Sequence, residues 1–116
     1  VSLANPAFVA SLTDAPSGFA FLDHPNRAYP MEGDTVTFSV EHNQSSVTSF
    51  QWKQADTATG TYTNVSGSDA SGMTTGTLTF TNVGLTRHDK HFKCEIVHSG
   101  TTYLSDSAEL FVDFGG

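Results

Sequence analysis

Apolar and polar residues alternate with a period of two through most of the chain, and helical spacing is hard to find anywhere. Asp34-Thr-Val-Thr-Phe-Ser-Val-Glu41 sets Val36, Phe38 and Val40 against Thr35, Thr37 and Ser39, which predicts a strand with one face buried and one face wet. After the polar turn His42-Asn-Gln-Ser-Ser46, the segment Val47-Thr-Ser-Phe-Gln-Trp-Lys-Gln54 turns Phe50 and Trp52 to one side and predicts a second strand. Ala55-Asp-Thr-Ala-Thr-Gly60 reads as a turn, Thr61-Tyr-Thr-Asn-Val65 as a short strand and Ser66-Gly-Ser-Asp-Ala-Ser-Gly72 as a loop, none of it core. Alternation returns in Thr75–Val83, with Leu78 and Phe80 inward, until Gly84 breaks it. His91–Val97 buries Phe92, Cys94 and Ile96, and a last strand from Thr101 to Asp113 buries Ala108, Leu110 and Val112. Turn signals about every ten residues, with no room for a crossover helix, predict an all-β, two-sheet antiparallel sandwich. A small closed barrel is the structural alternative.

Composition narrows the picture. A chain of 116 residues holds one core, and 37% hydrophobic residues with 11% aromatic is too apolar for disorder. Charged residues are few, 15% against about 25% in ordinary soluble chains. Thirteen Ser and sixteen Thr take over the polar role. The formal net charge of −7 leaves no cationic patch for a phosphate backbone, so nucleic acid is not expected as a partner. No run approaches the roughly 18 apolar residues of a membrane span, so no membrane insertion is expected. Cys94 stands alone, so no intramolecular disulfide forms, and the fold is compatible with a reducing cytosol.

The order and spacing of four segments then resemble a known fold. Gly33-Asp-Thr-Val-Thr-Phe-Ser-Val40, Phe50-Gln-Trp52, Gly76-Thr-Leu-Thr-Phe-Thr-Asn-Val83 and Asp89-Lys-His-Phe-Lys-Cys94 look like strands B, C, E and F of an immunoglobulin-like domain, with Asp106–Val112 as strand G. The resemblance implies a core signature of Val40, Trp52, Leu78, Phe92 and Cys94. Val40 stands where the first cysteine of the family belongs, and Phe92 replaces the tyrosine of the tyrosine corner. The variant is most similar to immunoglobulin-like domains of tailed-bacteriophage virion proteins and bacterial surface proteins.

That likeness sets the functional expectations. Residues 1–20 form an N-terminal arm, 21–113 the sandwich and 114–116 a tail. The arm carries Leu3, Phe8, Val9 and Leu12, too many large apolar groups for a solvated tail, and is expected to dock on a partner or fold back as an edge strand. The first functional reading is a non-enzymatic capsid decoration protein, assembled in the host cytoplasm, with the major capsid protein and further copies of itself as partners. The alternative is an adhesion module on a phage tail or bacterial surface. It would bind host glycans or proteins through loops that include His42, Asn43, Gln44, Ser68, Asp69, His98 and Ser99.

No catalytic, cofactor or metal site is expected. His88-x-x-His91 brings two imidazoles close in sequence, but no paired cysteines or carboxylate-histidine array completes a metal site. Ser66-Gly-Ser-Asp-Ala-Ser is a weak calcium-loop pattern, and there is no Gly-x-Ser-x-Gly elbow. Asn43-Gln-Ser45 and Asn64-Val-Ser66 match a glycosylation pattern that a Ser/Thr-rich chain yields readily by chance. Tyr29, Tyr62 and Tyr103 suit sugar stacking or plain strand propensity equally.

Overall fold

The computed structural model describes residues 18–115. Its strands are β1 (Phe21–Asp23), β2 (Val36–Ser39), β3 (Glu41–His42), β4 (Ser49–Ala55), β5 (Thr63–Asn64), β6 (Ala70–Ser71), β7 (Thr77–Phe80), β8 (Lys90–His98), β9 (Thr101–Leu104) and β10 (Ala108–Leu110). One sheet runs β2-β7-β6. β3 continues the line of β2 past Val40 and pairs with β1. The facing sheet runs β10-β8-β4-β5, with β9 also on β8. Every pairing between these strands is antiparallel. The expected all-β two-sheet sandwich is what forms, because each long strand has one apolar face to bury and another sheet to bury it against.

The core lies where the alternation places it. Val36, Phe38, Val40, Trp52, Leu78, Phe80, Phe92, Cys94, Ile96, Leu110 and Val112 are all buried in one cluster. Phe38 and Phe80 from one sheet meet Phe92 from the other at centroid distances of 5.2 and 5.1 Å. Burying one such side chain contributes about 1.5–3 kcal/mol, so three rings together match or exceed the roughly 2–5 kcal/mol that an inter-sheet disulfide supplies in small domains. The sheets therefore close without a covalent tie. Trp52, fully buried, sits opposite Cys94 in the β4/β8 register. Its indole N–H donates to the Thr75 carbonyl at 2.8 Å, and its amide N–H donates to the Met73 carbonyl at 2.8 Å. The turn before β7 thus clasps the tryptophan from outside. Gly72 makes that turn possible, with φ of +73° and a virtual Cβ only 2.1 Å from the Thr77 carbonyl oxygen.

Four details depart from the sequence reading. The segment 66–72 is not only loop, because Ala70 and Ser71 form β6 beside Phe80 and Thr79. Nor is 55–72 free of core, since Ala55 and Val65 are buried and Ala70 packs on the cluster. The last strand is broken in two by a one-residue register shift between β9 and β10 on β8. At the break the buried Ser105 hydroxyl accepts the Cys94 N–H at 2.9 Å, in place of a ladder carbonyl. Finally, residues 28–32 run parallel to the chain beyond β10. Ala28 N–H donates to Glu109 O, Phe111 N–H to Ala28 O, and Glu32 N–H to Asp113 O. Pro30 and the absence of alternation hid that extended segment from period-two reading, yet it covers an edge that would otherwise be open.

Candidate functional site

The strand directions send the expected recognition residues to opposite ends of the sandwich. β3, the start of β7, the end of β8 and the start of β9 meet at one end, which holds His42, Asn43, Gln44, His98 and Ser99. Ser99 and Gly100, with φ of 51° and 80°, form the two-residue turn between β8 and β9. Asn43 and Gln44 at this end hold the incoming chain. Asn43 Oδ1 accepts the Ala20 N–H at 2.9 Å, while Asn43 Nδ2 and Gln44 Nε2 both donate to the Gly18 carbonyl at 3.0 Å. His42 Nδ1 accepts the Gln44 N–H. Phe19 stacks on Tyr103 at 4.4 Å and lies 5.8 Å from His42 and 6.1 Å from His98. Residues 18–20, expected in the arm, are thus built into the sandwich. Leu3, Phe8, Val9 and Leu12 lie outside the described residues.

Ser68 and Asp69 lie at the opposite end, beside the 3₁₀ turn Leu85–Arg87. Ser68 is exposed. Asp69, expected in a recognition loop, has both carboxylate oxygens committed to Arg87, whose Nε and Nη2 donate at 2.9 and 2.8 Å. Arg87 Nη1 also donates to Gln54 Oε1 at 2.6 Å, Nη2 donates to the Ser66 carbonyl, and the guanidinium lies 4.6 Å from the Phe80 ring centroid. Only 7% of Arg87 is exposed. Hydrogen bonding from Arg87 holds the Asp69 carboxyl below its ordinary pKa, against an opposing push from partial burial. This knot ties the β5–β6 connection to the β7–β8 connection. Nothing in the sequence joins positions 69 and 87, so spacing alone did not reveal it.

The same end carries an apolar surface. Tyr29, Met31, Leu85, Phe111 and Phe114 are between 43% and 75% exposed. Tyr29, Phe111 and Phe114 line a shallow recess of about 450 Å³ together with His88, Val112 and Asp113. The His88 ring packs edge-on against Phe111 at 4.6 Å and Phe114 at 5.3 Å, and its Nδ1 accepts the Val112 N–H. His88 is therefore an aromatic wall of the recess. Phe111 lies on the outward side of the alternation that buries Leu110 and Val112, and the neighbours that make it a surface come from the segment at 28–31.

A second concavity of about 630 Å³ lies between residues 22–27 and 106–109, with His91 on its wall. On the outer face of β8 and β10, donor atoms of Asp89, His91 and Glu109 all lie within 4.8 Å of one another. A carboxylate-histidine array was not expected from sequence, because Glu109 reaches His91 only through strand register. Of the two histidines at 88 and 91, only His91 belongs to it. Cys94 is fully buried, and burial pushes its thiol up to about 12, away from the thiolate form.

Comparison with known proteins extends to the fold. No family profile matches the sequence. No curated protein matches it either. Among solved structures, the tandem Ig repeats of Dlar are similar with a TM-score of 0.67 at 18% identity, over 83% of this chain and 48% of that one. The chain thus spans about half the length of that structure. The titin M3 domain is similar with a TM-score of 0.63 at 14% identity, over 82% of this chain and 96% of that one. A chimeric titin Z1Z2 functionalized with an exogenous peptide from decorin gives 0.62 at 18% identity, over 85% and 97%. The fold is immunoglobulin-like.

Proposed function

We propose that this chain is a non-enzymatic structural module that works by docking, and specifically a capsid decoration protein of a tailed phage. The observation that carries the docking is the exposed aromatic recess around Phe111 and Phe114. Large apolar groups gathered at one end of a small domain, rather than scattered singly, mark a surface that is covered in the working assembly. Completing the burial of five partly exposed side chains contributes roughly 1 kcal/mol each. That sum of about 5 kcal/mol only balances the lower estimates for the cost of association, about 4–15 kcal/mol. A single copy therefore binds weakly by this surface alone. A repetitive lattice, which presents many sites and allows neighbouring copies or a second segment to engage at once, turns weak contacts into stable coverage.

The finer assignment to a phage shell rests on the sequence resemblance, and the closed core with its reduced thiol is consistent with folding in a host cytoplasm. Docking is favoured over glycan recognition by the state of the opposite end. There Asn43, Gln44 and His42 already spend hydrogen bonds on residues 18–20 and on each other.

The test is uptake of the full chain by phage shells that lack it, followed by sedimentation. Saturable uptake that falls in a Phe111→Ser/Phe114→Ser variant with unchanged melting temperature supports the proposal. Failure of the unaltered chain to bind such shells removes the phage assignment. Uptake that is indifferent to both serine substitutions removes the role of the recess.

A further inference from the structure

We propose that Asp89, His91 and Glu109 form a binding site for a divalent transition-metal ion of the zinc class on the outer face of the β8/β10 pair. The site goes beyond the docking role and is independent of it. His91 and Glu109 are direct partners in the antiparallel register, and Asp89, in the left-handed position (φ 62°) just before β8, brings its carboxylate beside them. The Asp89 N–H donates to the Leu110 carbonyl at 2.7 Å, so the backbone of all three residues is fixed by the same ladder. Their donor atoms lie within 4.8 Å of one another. A tetrahedral ion with bonds of about 2.0–2.2 Å sets its ligand atoms roughly 3.4 Å apart, so closing on the ion takes only side-chain rotation of an ångström or so.

A second observation separates this cluster from ordinary surface acids. Four acids elsewhere among the described residues lie against a cation, Asp69 with Arg87, Asp56 with Lys90, Glu95 with Lys53 and Asp106 with His24, while acids without an ion pair such as Asp23, Glu32 and Glu41 belong to no such cluster. Asp89, His91 and Glu109 make no side-chain hydrogen bond or ion pair with any described residue. Two carboxylates are thus held together, half-buried in the case of Glu109, in a chain of net charge −7. The nearby cation, Arg27, acts on Glu109 only through space and gives its hydrogen bond to Tyr29 Oη at 3.0 Å.

The donor set also selects the ion. Calcium and magnesium take six or more hard oxygen ligands, whereas one imidazole with two carboxylates suits zinc and its neighbours and leaves a fourth position for water.

Isothermal titration of the full chain with zinc chloride in a non-chelating buffer tests the site, with ¹H–¹⁵N spectra of the histidine side chains recorded in parallel. The expected result is one zinc per chain, a zinc-dependent shift of the His91 ring signals, and no comparable uptake of calcium. His91→Ala and Glu109→Gln are expected to weaken binding by about 100-fold or more, beyond the cost of losing a mere outer-shell partner. His98→Asn is expected to leave binding unchanged. The outward position of all three ligands predicts that the metal-free variants keep the parent's circular dichroism and melting temperature. No saturable binding at millimolar zinc, binding that survives His91→Ala, or equal affinity for calcium would each overturn the proposal.

Discussion

Replacing Asp69 by alanine removes the one charged partner that Arg87, a residue only 7% exposed, has among the described residues, and so isolates the worth of the knot at that end of the sandwich. Breaking a buried ion pair from one side costs about 3–5 kcal/mol, because the remaining charge stays desolvated. The Asp69 side chain is 31% exposed, which lets water reach the gap and places the expectation at the lower end, about 3 kcal/mol. For a domain of this size that corresponds to a drop in Tm of roughly 12–24 °C. Urea unfolding read by circular dichroism is the assay, with the midpoint falling and the slope unchanged. The double variant Asp69→Ala/Arg87→Met, which leaves no buried charge, is expected to recover at least about 1.5 kcal/mol relative to additivity. The pH dependence adds a sign. Because Arg87 lowers the Asp69 pKa in the folded state, the pair's contribution is complete above the ordinary carboxyl value of 3.8 and is lost as pH falls through the lower folded value. Below pH 4 the parent chain therefore converges toward Asp69→Ala. A cost under about 1 kcal/mol for Asp69→Ala, or strict additivity in the double variant, would refute the reasoning.

Two further substitutions probe the core's edges. Gly72→Ala must place a Cβ 2.1 Å from the Thr77 carbonyl and adopt φ of +73°, whereas Gly100→Ala meets open space at φ of +80°. Chemical denaturation should show about 1–2 kcal/mol lost for Gly100→Ala and distinctly more for Gly72→Ala; equal costs would contradict the clasp on Trp52. Ser105→Ala leaves the Cys94 N–H without its acceptor inside the sheet and should cost about 1–3 kcal/mol, with faster amide exchange at Cys94 in the native state. Protection of that amide as strong as in the parent would show that another group satisfies it.

The sequence carried the sandwich where burial alone decides structure. Val36, Phe38, Leu78, Phe92, Cys94 and Ile96 each follow from alternation, because a period of two leaves no other face for them. It failed where long-range polar contacts or register decide. β6 exists because Ala70 lies beside Phe80, not because its two residues favour a strand. The segment at 28–31 is extended by hydrogen bonds to a partner about 80 residues away. Arg87 looks like a surface residue until Asp69, Gln54 and Ser66 converge on it. The same applies to surfaces: Glu109 and His91 are 18 positions apart, and only the β8/β10 register brings them together. Asn43 and Gln44, polar turn residues in sequence, give their side-chain amides to the backbone of residues 18–20, which spacing could not show.

The account stands on a core sealed by packing alone around Trp52 and an unpaired thiol. Its most direct test is a single urea titration in which Trp52 emission and chemical labelling of Cys94 are followed together, with and without reductant. The expected result is a blue-shifted, quencher-resistant indole and an unreactive thiol in the native state, then one coincident transition that reductant does not move. A thiol that labels before the indole is exposed, or a midpoint that shifts on reduction, would contradict it.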